Sequence, residues 1–268
     1  MKLLNQGTWI SRYLQTDPLT KFDEHLQQVY TTYYREHDHS FDYRAFAQSE
    51  LFTQHKLISR AITTVDIASS EAGAERLSFW LNLYNALCIH IVTEEQLAGP
   101  LTGNKNVFSD YAYEIGNMPF TLDDIEHGIL RGNSKPYGSF RRQFGDQDER
   151  RRLILAQQEP RIHFAMYSAC ASSPQLRHFS PENLHQQLAS STQSYLESQI
   201  LFEPDKRKLT VPKLFKWYAD DFGNEQAIIQ FIANNSPGSN LESWLSQNNP
   251  SQLSISHQEF NWDINHRN

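Results

Sequence analysis

Hydrophobic residues recur at intervals of three and four over the first third of the chain. Phe22, Leu26 and Val29 begin one series, and a second runs from Tyr43 to Ile67. This spacing places apolar side chains on one face of a helix, so both stretches are predicted to be amphipathic helices. The segment from Ala74 to Glu95 is apolar at almost every helical angle, and we expect a helix that is buried on nearly all sides.

Two turn motifs in the middle of the chain predict a hairpin followed by a helix. Apolar runs on both sides of Gly116-Asn117 are typical of a short β-hairpin over residues 111–121. Thr121 is a suitable N-cap, and Asp124 follows it at the spacing of a capping box. We therefore expect a helix from Thr121 to Arg131.

The second half of the chain combines further helices with short strands. Residues 132–150 are rich in Gly, Ser and Arg and are predicted to be a loop. Apolar residues alternate with others from Arg161 to Ser168, which predicts a strand, and a second hairpin is predicted over residues 201–211. Helices are predicted over residues 181–199, 213–222, 226–233 and 241–245.

These elements favour an α+β fold, a single, mostly helical domain with a small antiparallel sheet. A papain- or transglutaminase-like arrangement, in which a histidine on a strand faces the start of a central helix, is one alternative. We expect residues 1–69 to form an N-terminal helical part packed on the core. Residues 70–268 are expected to form the main structural unit.

Composition and charge narrow the class of protein. The 268 residues include 31 Asp and Glu against 24 Lys and Arg, a net charge of −7, which argues against a nucleic-acid-binding protein. No run approaches the ~18 apolar residues of a membrane span, and the first residues lack the pattern of a secretion signal. Cys88 and Cys170 are too few for a disulfide framework. We expect a soluble, cytoplasmic protein without a nucleic-acid or membrane partner.

Four polar residues form a stripe along the apolar helix, namely Glu75, Ser78, Asn82 and Asn85. A buried amide without partners costs about 1–3 kcal/mol, so the stripe is expected to contact other polar groups. It either pins neighbouring backbone or lines a pocket. In both cases we expect Asn82 and Asn85 to be buried and hydrogen-bonded to residues 161–168 or to the loop after them.

The helix after the first hairpin carries one carboxylate, Glu126, on its apolar face. A carboxylate in that position must be paired, hydrogen-bonded or shifted in pKa. We therefore predict that Glu126 is shielded and has a donor, with His163 and Arg161 favoured. Asp123 and His127 lie four residues apart on the same helix and form either a surface contact or part of a site.

His163 is followed by small hydroxyl and thiol residues, namely Ser168, Cys170, Ser172 and Ser173. Small residues let a substrate approach the backbone closely, and a nearby histidine can take a proton from a nucleophile. The same residues are also compatible with a tight turn beside a core histidine. Because neighbouring side chains of a strand point to opposite faces, Ser168 reaches the side of His163 only if the strand bends.

Five motifs occur in a characteristic order: Phe79–Leu87, Leu122–Arg131, Pro160–Ala165, Phe215–Phe222 and Phe260–Asn265. In this order they resemble the domain of unknown function 547, a family found in bacteria and, fused to other modules, in plants and animals. The resemblance covers about residues 70–265. It implies no settled activity.

The resemblance also shows a departure after the histidine. The family usually has Asn-Cys-Ala-Ser-x-Ser-Cys-Pro there, and alignment on His163 and Pro174 places its two cysteines at Ser168 and Ser173, with Cys170 between them. Thiol chemistry in the family would here be lost, carried by a hydroxyl or moved to Cys170. The Asn, Glu and His positions are retained, which implies that a binding site remains.

Two functions are compatible with these residues. The first is a hydrolase or acyl-transfer-like enzyme, in which His163 is the general acid or base and Ser168, Cys170 or Ser173 supplies the reacting group. Its predicted substrate-binding residues are Asn82, Asn85, Glu126 and Arg161. The second is a non-catalytic binding or scaffolding module with the same polar pocket.

Metal-dependent hydrolysis through Glu126, His127 and His163 is a third hypothesis, since these are metal-ligand types without the helical HExxH spacing. The two favoured functions need neither a metal nor a cofactor. The partner is expected to be a small molecule or a peptide. The pattern makes no prediction about the oligomeric state.

Overall fold

The computed structural model describes residues 1–7, 17–67, 73–103, 106–156 and 158–267. The elements of the first third are β1 (Lys2–Leu3), α1 (Pro18–Tyr33), β2 (Tyr34–Arg35), β3 (Ser40–Phe41), α2 (Tyr43–Ala47) and α3 (Glu50–Ala61). Asp17 begins α1 by accepting hydrogen bonds from two amides of its first turn. Ser49 begins α3 by accepting one such hydrogen bond, from the amide of Phe52. The predicted helical series is thus present, with the β2–β3 hairpin between its two halves.

The central element is α4 (Ala74–Glu94), which runs through the main hydrophobic core. Every residue from Trp80 to Thr93 is buried, which confirms the prediction of a helix covered on nearly all sides. Helices α1 and α2 and the helical turn after the first hairpin pack against it. A helix without a solvent face is rigidly held, so it provides a fixed support for groups packed against it.

Both predicted hairpins are confirmed, and each is extended by a parallel strand. After α5 (Val107–Asp110), β4 (Tyr111–Ile115) and β5 (Met118–Thr121) form the first, with Gly116 and Asn117 at positive φ in its turn. Strand β1 pairs with β4. The second consists of β6 (Leu201–Glu203) and β7 (Lys208–Pro212), and β8 (Ser254–Gln258) pairs with β7. These parallel strands come from remote parts of the chain, and no local sequence pattern predicts their pairing.

The predicted capping box begins the helix after β5. The amide of Asp124 donates to Thr121 Oγ1 at 3.1 Å, and the amide of Thr121 donates to Asp124 Oδ2 at 3.0 Å. The chain is then π-helical over Asp124–Leu130, and the amide of Arg131 donates to the carbonyl of Glu126, five residues earlier. We call residues 121–131 the π-helical turn. Such turns are rare and are often found at functional sites.

The predicted strand over Arg161–Ser168 is wrong. Residues Pro160–Phe164 form a 3-10 helix, which Glu159 begins by accepting a hydrogen bond from the amide of Arg161. Three successive residues, 162–164, are buried, so the alternation of apolar side chains does not mark two faces of a strand. A proline at the first helical position and an acidic cap before it outweigh that alternation.

The C-terminal helices surround a second apolar cluster. They are α6 (Leu184–Gln199), α7 (Leu214–Trp217), α8 (Ala219–Phe222), α9 (Glu225–Asn234) and α10 (Asn240–Leu245). They confirm the predicted helices, although Tyr218 divides one of them into α7 and α8. The fold is α+β and mostly helical, as predicted.

Two predictions about the whole chain remain open. The expected boundary between residues 69 and 70 lies outside the described residues, so the division at that point stays a prediction. The papain- or transglutaminase-like arrangement also stays a prediction. None of the helices in the described ranges is both long enough and apolar enough to span a bilayer.

Candidate functional site

A pocket of about 240 Å³ opens where α4, the π-helical turn, residues 163–174 and the C-terminal part of the chain meet. Two carboxylates, Asp123 and Glu126, line it, and we call them the acidic pair. Two histidines, His127 and His163, lie beside them. The remaining lining residues are Tyr84, Phe108, Pro136, Tyr137, Met166, Ser168, Pro174, Leu214, Trp217, Tyr218, Phe260 and Trp262.

The acidic pair has an unusual electrostatic environment. Burial and the negative charges of Glu126 and Asp124 raise the pKa of Asp123 to about 7. Asp123 therefore exchanges a proton with solvent near neutral pH, as a general acid or base must.

Glu126 is buried, and its Oε2 accepts a hydrogen bond from the Tyr84 hydroxyl at 3.3 Å. Its Oε1 has no hydrogen bond that meets the distance and angle limits within the described structure, and it lies 3.8 Å from His127 Nδ1. The Tyr218 hydroxyl is close enough to this carboxylate that, after burial, Glu126 contributes most to raising the pKa of Tyr218. The prediction that Glu126 is shielded and has a donor is confirmed. The expected donors were wrong, because the hydroxyl comes from α4 and not from His163 or Arg161.

His127 is held as a neutral imidazole. Arg131 Nη1 donates to His127 Nδ1 at 2.8 Å, so Nδ1 is an acceptor and the proton is on Nε2. Burial lowers the pKa of His127, and the Arg131 guanidinium lowers it further, against the opposing charge of Glu126. The polar group that His127 has left for a ligand is its Nε2–H.

His163 belongs to a buried charge network. Its Nε2 lies 2.7 Å from Asp221 Oδ2, and Arg131 binds the same carboxylate with Nε at 2.5 Å and Nη2 at 3.0 Å. Burial alone would raise the pKa of Asp221, but the hydrogen bonds from His163 and Arg131 lower it to about 2. Burial lowers the pKa of His163, whose ring stacks on Tyr218 with centroids 3.9 Å apart. Asp221 is thus ionised, and His163 is neutral with its proton on Nε2.

Another part of the pocket lining is aromatic. The rings of Trp217, Phe260 and Trp262 pack together with centroids 4.5 to 5.6 Å apart, and Phe108 contacts Trp262 edge-on at 6.2 Å. We call these four residues the aromatic wall. It joins α5, α7 and the C-terminal segment on one surface.

Asn82 and Asn85 are buried, as predicted, but they hydrogen-bond to backbone and do not line the pocket. Asn82 exchanges two hydrogen bonds with Phe179, its Nδ2 donating at 2.8 Å and its Oδ1 accepting at 3.0 Å. Asn85 donates to the carbonyl of Ala165 at 3.1 Å and accepts from the amide of Tyr167 at 2.8 Å. The two asparagines fix the chain that follows the 3-10 helix against α4.

Arg161 also lies away from the lining residues. It forms a two-point ion pair with Glu159, at 2.6 and 2.8 Å. Its substrate-binding role stays a prediction, and the same holds for Asn82 and Asn85.

The serines and the cysteine after His163 form a turn. Ala169 has a positive φ of 58°, and Ser173 Oγ accepts from the amide of Ser168 at 2.9 Å. Ser168 lines the pocket, and its Oγ lies 3.2 Å from Cys170 Sγ. Burial raises the pKa of Cys170 to about 11, so the thiol stays protonated at neutral pH.

Neither the cysteine nor the serines are coupled to the predicted base. The hydrogen bonds of the described residues include none between His163 and Ser168, Cys170 or Ser173. The assignment required a bend in the strand near Tyr167, but His163 lies in a 3-10 helix instead of a strand and is bound to Asp221 instead of to a nucleophile.

One family model matches this chain. It is described as "Protein of unknown function, DUF547", and it matches residues 68–196. The resemblance to DUF547 is confirmed over this segment. No curated protein and no solved structure matches the chain.

The DUF547 segment contains only part of the pocket. The acidic pair, His127, Arg131 and His163 lie within it. Asp221 and three residues of the aromatic wall follow it in sequence. The resemblance that the motifs indicate beyond residue 196 therefore concerns the residues that complete the site, and it stays a prediction.

The structure does not join the three residues of the metal hypothesis into a ligand group within the described ranges. No group of three or more His, Cys, Asp or Glu residues in those ranges has an arrangement that could hold a metal ion. Glu126 is bound by a tyrosine, His127 by Arg131 and His163 by Asp221. Each of the proposed ligands thus has a different partner.

Sequence reasoning missed several residues of the site, namely Tyr84, Arg131, Trp217, Tyr218 and Asp221. Arg131 lies four residues after His127, and this spacing alone would have suggested their contact. Tyr84 lies within the most apolar helix, where a buried hydroxyl needs a partner. No local sequence pattern predicts that Asp221 belongs to the site, because it is 90 residues from Arg131 and 58 from His163.

Proposed function

We propose that this pocket is the active site of an enzyme that hydrolyses a small organic molecule by general acid–base catalysis, without a covalent intermediate. One observation carries the proposal. Asp123, with its pKa raised to about 7, lies one turn from Glu126, whose Oε1 has no hydrogen-bond partner in the described structure. Pairs of titratable groups whose environments differ in this way are typical of acid–base sites.

In this mechanism the residues of one turn have three roles. Glu126 Oε1 takes a proton from water as the water oxygen attacks the substrate, and protonated Asp123 gives its proton to the leaving group. The Nε2–H of His127 donates to the oxygen on which negative charge develops, and the Arg131 hydrogen bond holds the required tautomer. Tyr84 positions Glu126 through its other oxygen.

A covalent, acyl-transfer-like mechanism has less support. Cys170 is buried with a raised pKa, and the serine hydroxyls have no hydrogen bond to a histidine in the described structure. A serine needs an adjacent base to become a nucleophile. We therefore give His163 a positioning role, as a neutral ring held by Asp221 in the pocket wall.

A panel of small esters, amides, glycosides and phosphoesters tests the proposal. For any substrate that turns over, we expect Asp123→Asn and Glu126→Gln each to lower kcat/KM by about 100-fold or more. The matched control is Asp146→Asn, because the Asp146 side chain is 94% exposed. Unchanged turnover in either pocket variant would contradict the assignment.

The pH profile provides a second measurement. Because Asp123 must be protonated to act as the acid, kcat/KM is expected to fall as the pH rises through about 7. A profile without this limb would assign the acid role to another group.

A binding module without turnover is the second candidate. It is favoured by the absence of an activated nucleophile among the described residues and by the buried acceptor atoms in the pocket. Lack of turnover across the panel, with ligand binding retained, would favour this candidate. For either function we infer that the partner is a small molecule or a peptide and that the location is cytoplasmic.

A further inference from the structure

The pocket combines two recognition features that the proposed chemistry does not use. The first is the aromatic wall of Phe108, Trp217, Phe260 and Trp262, whose rings are packed together against the pocket. The faces of aromatic rings carry negative charge density and attract cations, and tryptophan does so most strongly.

The second feature is a buried acceptor without a donor. His163 holds its proton on Nε2 through Asp221, so Nδ1 carries a lone pair. This atom is buried, and it has no hydrogen-bond partner among the described residues. The His163 side chain is 1% exposed and lines the pocket. Buried polar groups are almost always satisfied, so an unsatisfied one at a pocket points to a bound donor.

We propose that the pocket binds a small organic cation with N–H donors, namely an ammonium group attached to an apolar body. The ammonium group lies between the aromatic wall and the acidic pair, and one of its N–H groups donates to His163 Nδ1. The proposal deepens the proposed function, on which it rests for the identity of the site, by naming the substrate class.

The charges of the pocket favour a cation over an anion. The charge of Asp221 is balanced by Arg131, whereas the described lining residues include no Lys or Arg that would balance the acidic pair. A cation gains from the Glu126 carboxylate and from the rings, and from Asp123 as well when that side chain is ionised, while a carboxylate ligand would meet like charge. The volume of about 240 Å³ suits one ring with a short chain.

Calorimetric titration of the whole protein with four matched ligands tests the charge and the donor separately. The ligands are 2-phenylethylammonium, its trimethylated form, 2-phenylethanol and 3-phenylpropanoate. We expect the primary ammonium to bind about 10-fold or more tightly than the alcohol, with no measurable binding of the carboxylate. Equal or tighter binding of the alcohol or the carboxylate would overturn the proposal.

The trimethylated ligand keeps the charge but has no N–H donor. We expect it to bind about 10-fold more weakly than the primary ammonium, because His163 Nδ1 then stays unsatisfied. Equal affinity would overturn the hydrogen bond to His163.

Variants at Trp262 test the aromatic wall. We expect Trp262→Leu to weaken ammonium binding by about 10-fold, and Trp262→Phe to restore part of it, because phenylalanine keeps a ring. The matched control is Trp244→Leu, since Trp244 contacts Phe202 and does not line the pocket. Equal weakening by Trp262→Leu and Trp244→Leu, or no weakening by Trp262→Leu, would overturn the role of the wall.

These titrations distinguish the present inference from the proposed function. Ammonium binding without turnover of any substrate would support the ligand class and contradict the enzyme. Turnover of neutral substrates, with no preference for ammonium ligands, would support the enzyme and overturn the ligand class.

Discussion

Two groups of buried histidines show how the same residue type takes different roles. In the core, His25 of α1, His55 of α3, His90 of α4 and Tyr113 of β4 form a hydrogen-bonded chain, with distances of 2.7 to 3.2 Å. Burial lowers the pKa values of all three histidines, and lysines, an arginine and, for His55, the other two histidines lower them further. The chain is a neutral part of the core.

The pocket histidines are bound to charged groups instead. Arg131 connects His127 to Asp221, and Asp221 binds His163. The buried carboxylate and guanidinium balance each other, and they leave one imidazole N–H and one imidazole lone pair for a ligand. A buried histidine thus marks a functional site only when its partners fix its tautomer and leave an atom free beside a cavity.

The largest expected effect on stability comes from removing the negative charge of Asp221, which binds both Arg131 and His163. Asp221→Asn leaves Arg131, whose side chain is 2% exposed, as a buried charge without its counterion. We expect the free energy of unfolding to fall by about 3–5 kcal/mol, measured by urea denaturation.

The matched control is Asp220→Asn, because Asp220 is exposed beside it. We expect the control to stay within about 0.5 kcal/mol of the wild type. If Asp221→Asn had an equally small effect, the pocket network would not stabilise the fold.

Acid is expected to destabilise the fold through the core histidines His25, His55 and His90. In the unfolded chain His25 has a pKa of 6.5, but burial and the charge of Lys21 lower it to about 4 in the fold, and that of His90 is lowered to about 3. Between pH 6.5 and the lowered pKa values, the unfolded state binds more protons than the folded state does. The free energy of unfolding therefore decreases as the pH falls below 6.5. For His25 alone we expect a loss of about 3 kcal/mol by pH 4.

Denaturation curves of His25→Leu between pH 7 and pH 4 check the assignment. The variant is expected to lose less stability on acidification than the wild type does. His37→Gln, at a side chain that is 74% exposed, should keep the wild-type slope. Equal slopes in all three proteins would show that the core chain does not control acid stability.

A smaller effect is expected at the junction of α4 with the chain that carries His163. Asn85→Leu removes the donor to Ala165 and the acceptor for Tyr167 and leaves both backbone groups buried. We expect a loss of about 1–3 kcal/mol of unfolding free energy. The matched control is Asn234→Leu, because Asn234 is an exposed helical residue. Thermal denaturation compares the two variants. Equal stability of Asn85→Leu and Asn234→Leu would contradict the structural role of Asn85.

Much of the fold could be predicted from the sequence, because the interactions that form its elements are local. The apolar run of α4, the capping box of Thr121 and Asp124 and the turn at Gly116-Asn117 each depend on residues within a few positions of one another. The burial of Asn82, Asn85 and Glu126 also followed, since polar residues on an apolar face need partners.

The tertiary structure alone decided the partners. Pro160 and the Glu159 cap favour a 3-10 helix where the alternation of apolar residues predicted a strand. Strands β1 and β8 pair in parallel with strands that are far from them in sequence. The site followed the same rule, because Asp221 reaches Arg131 and His163 across 90 and 58 residues. Spacing along a helix or strand determines which face a side chain occupies, but long-range packing determines which charge, ring or donor it meets there.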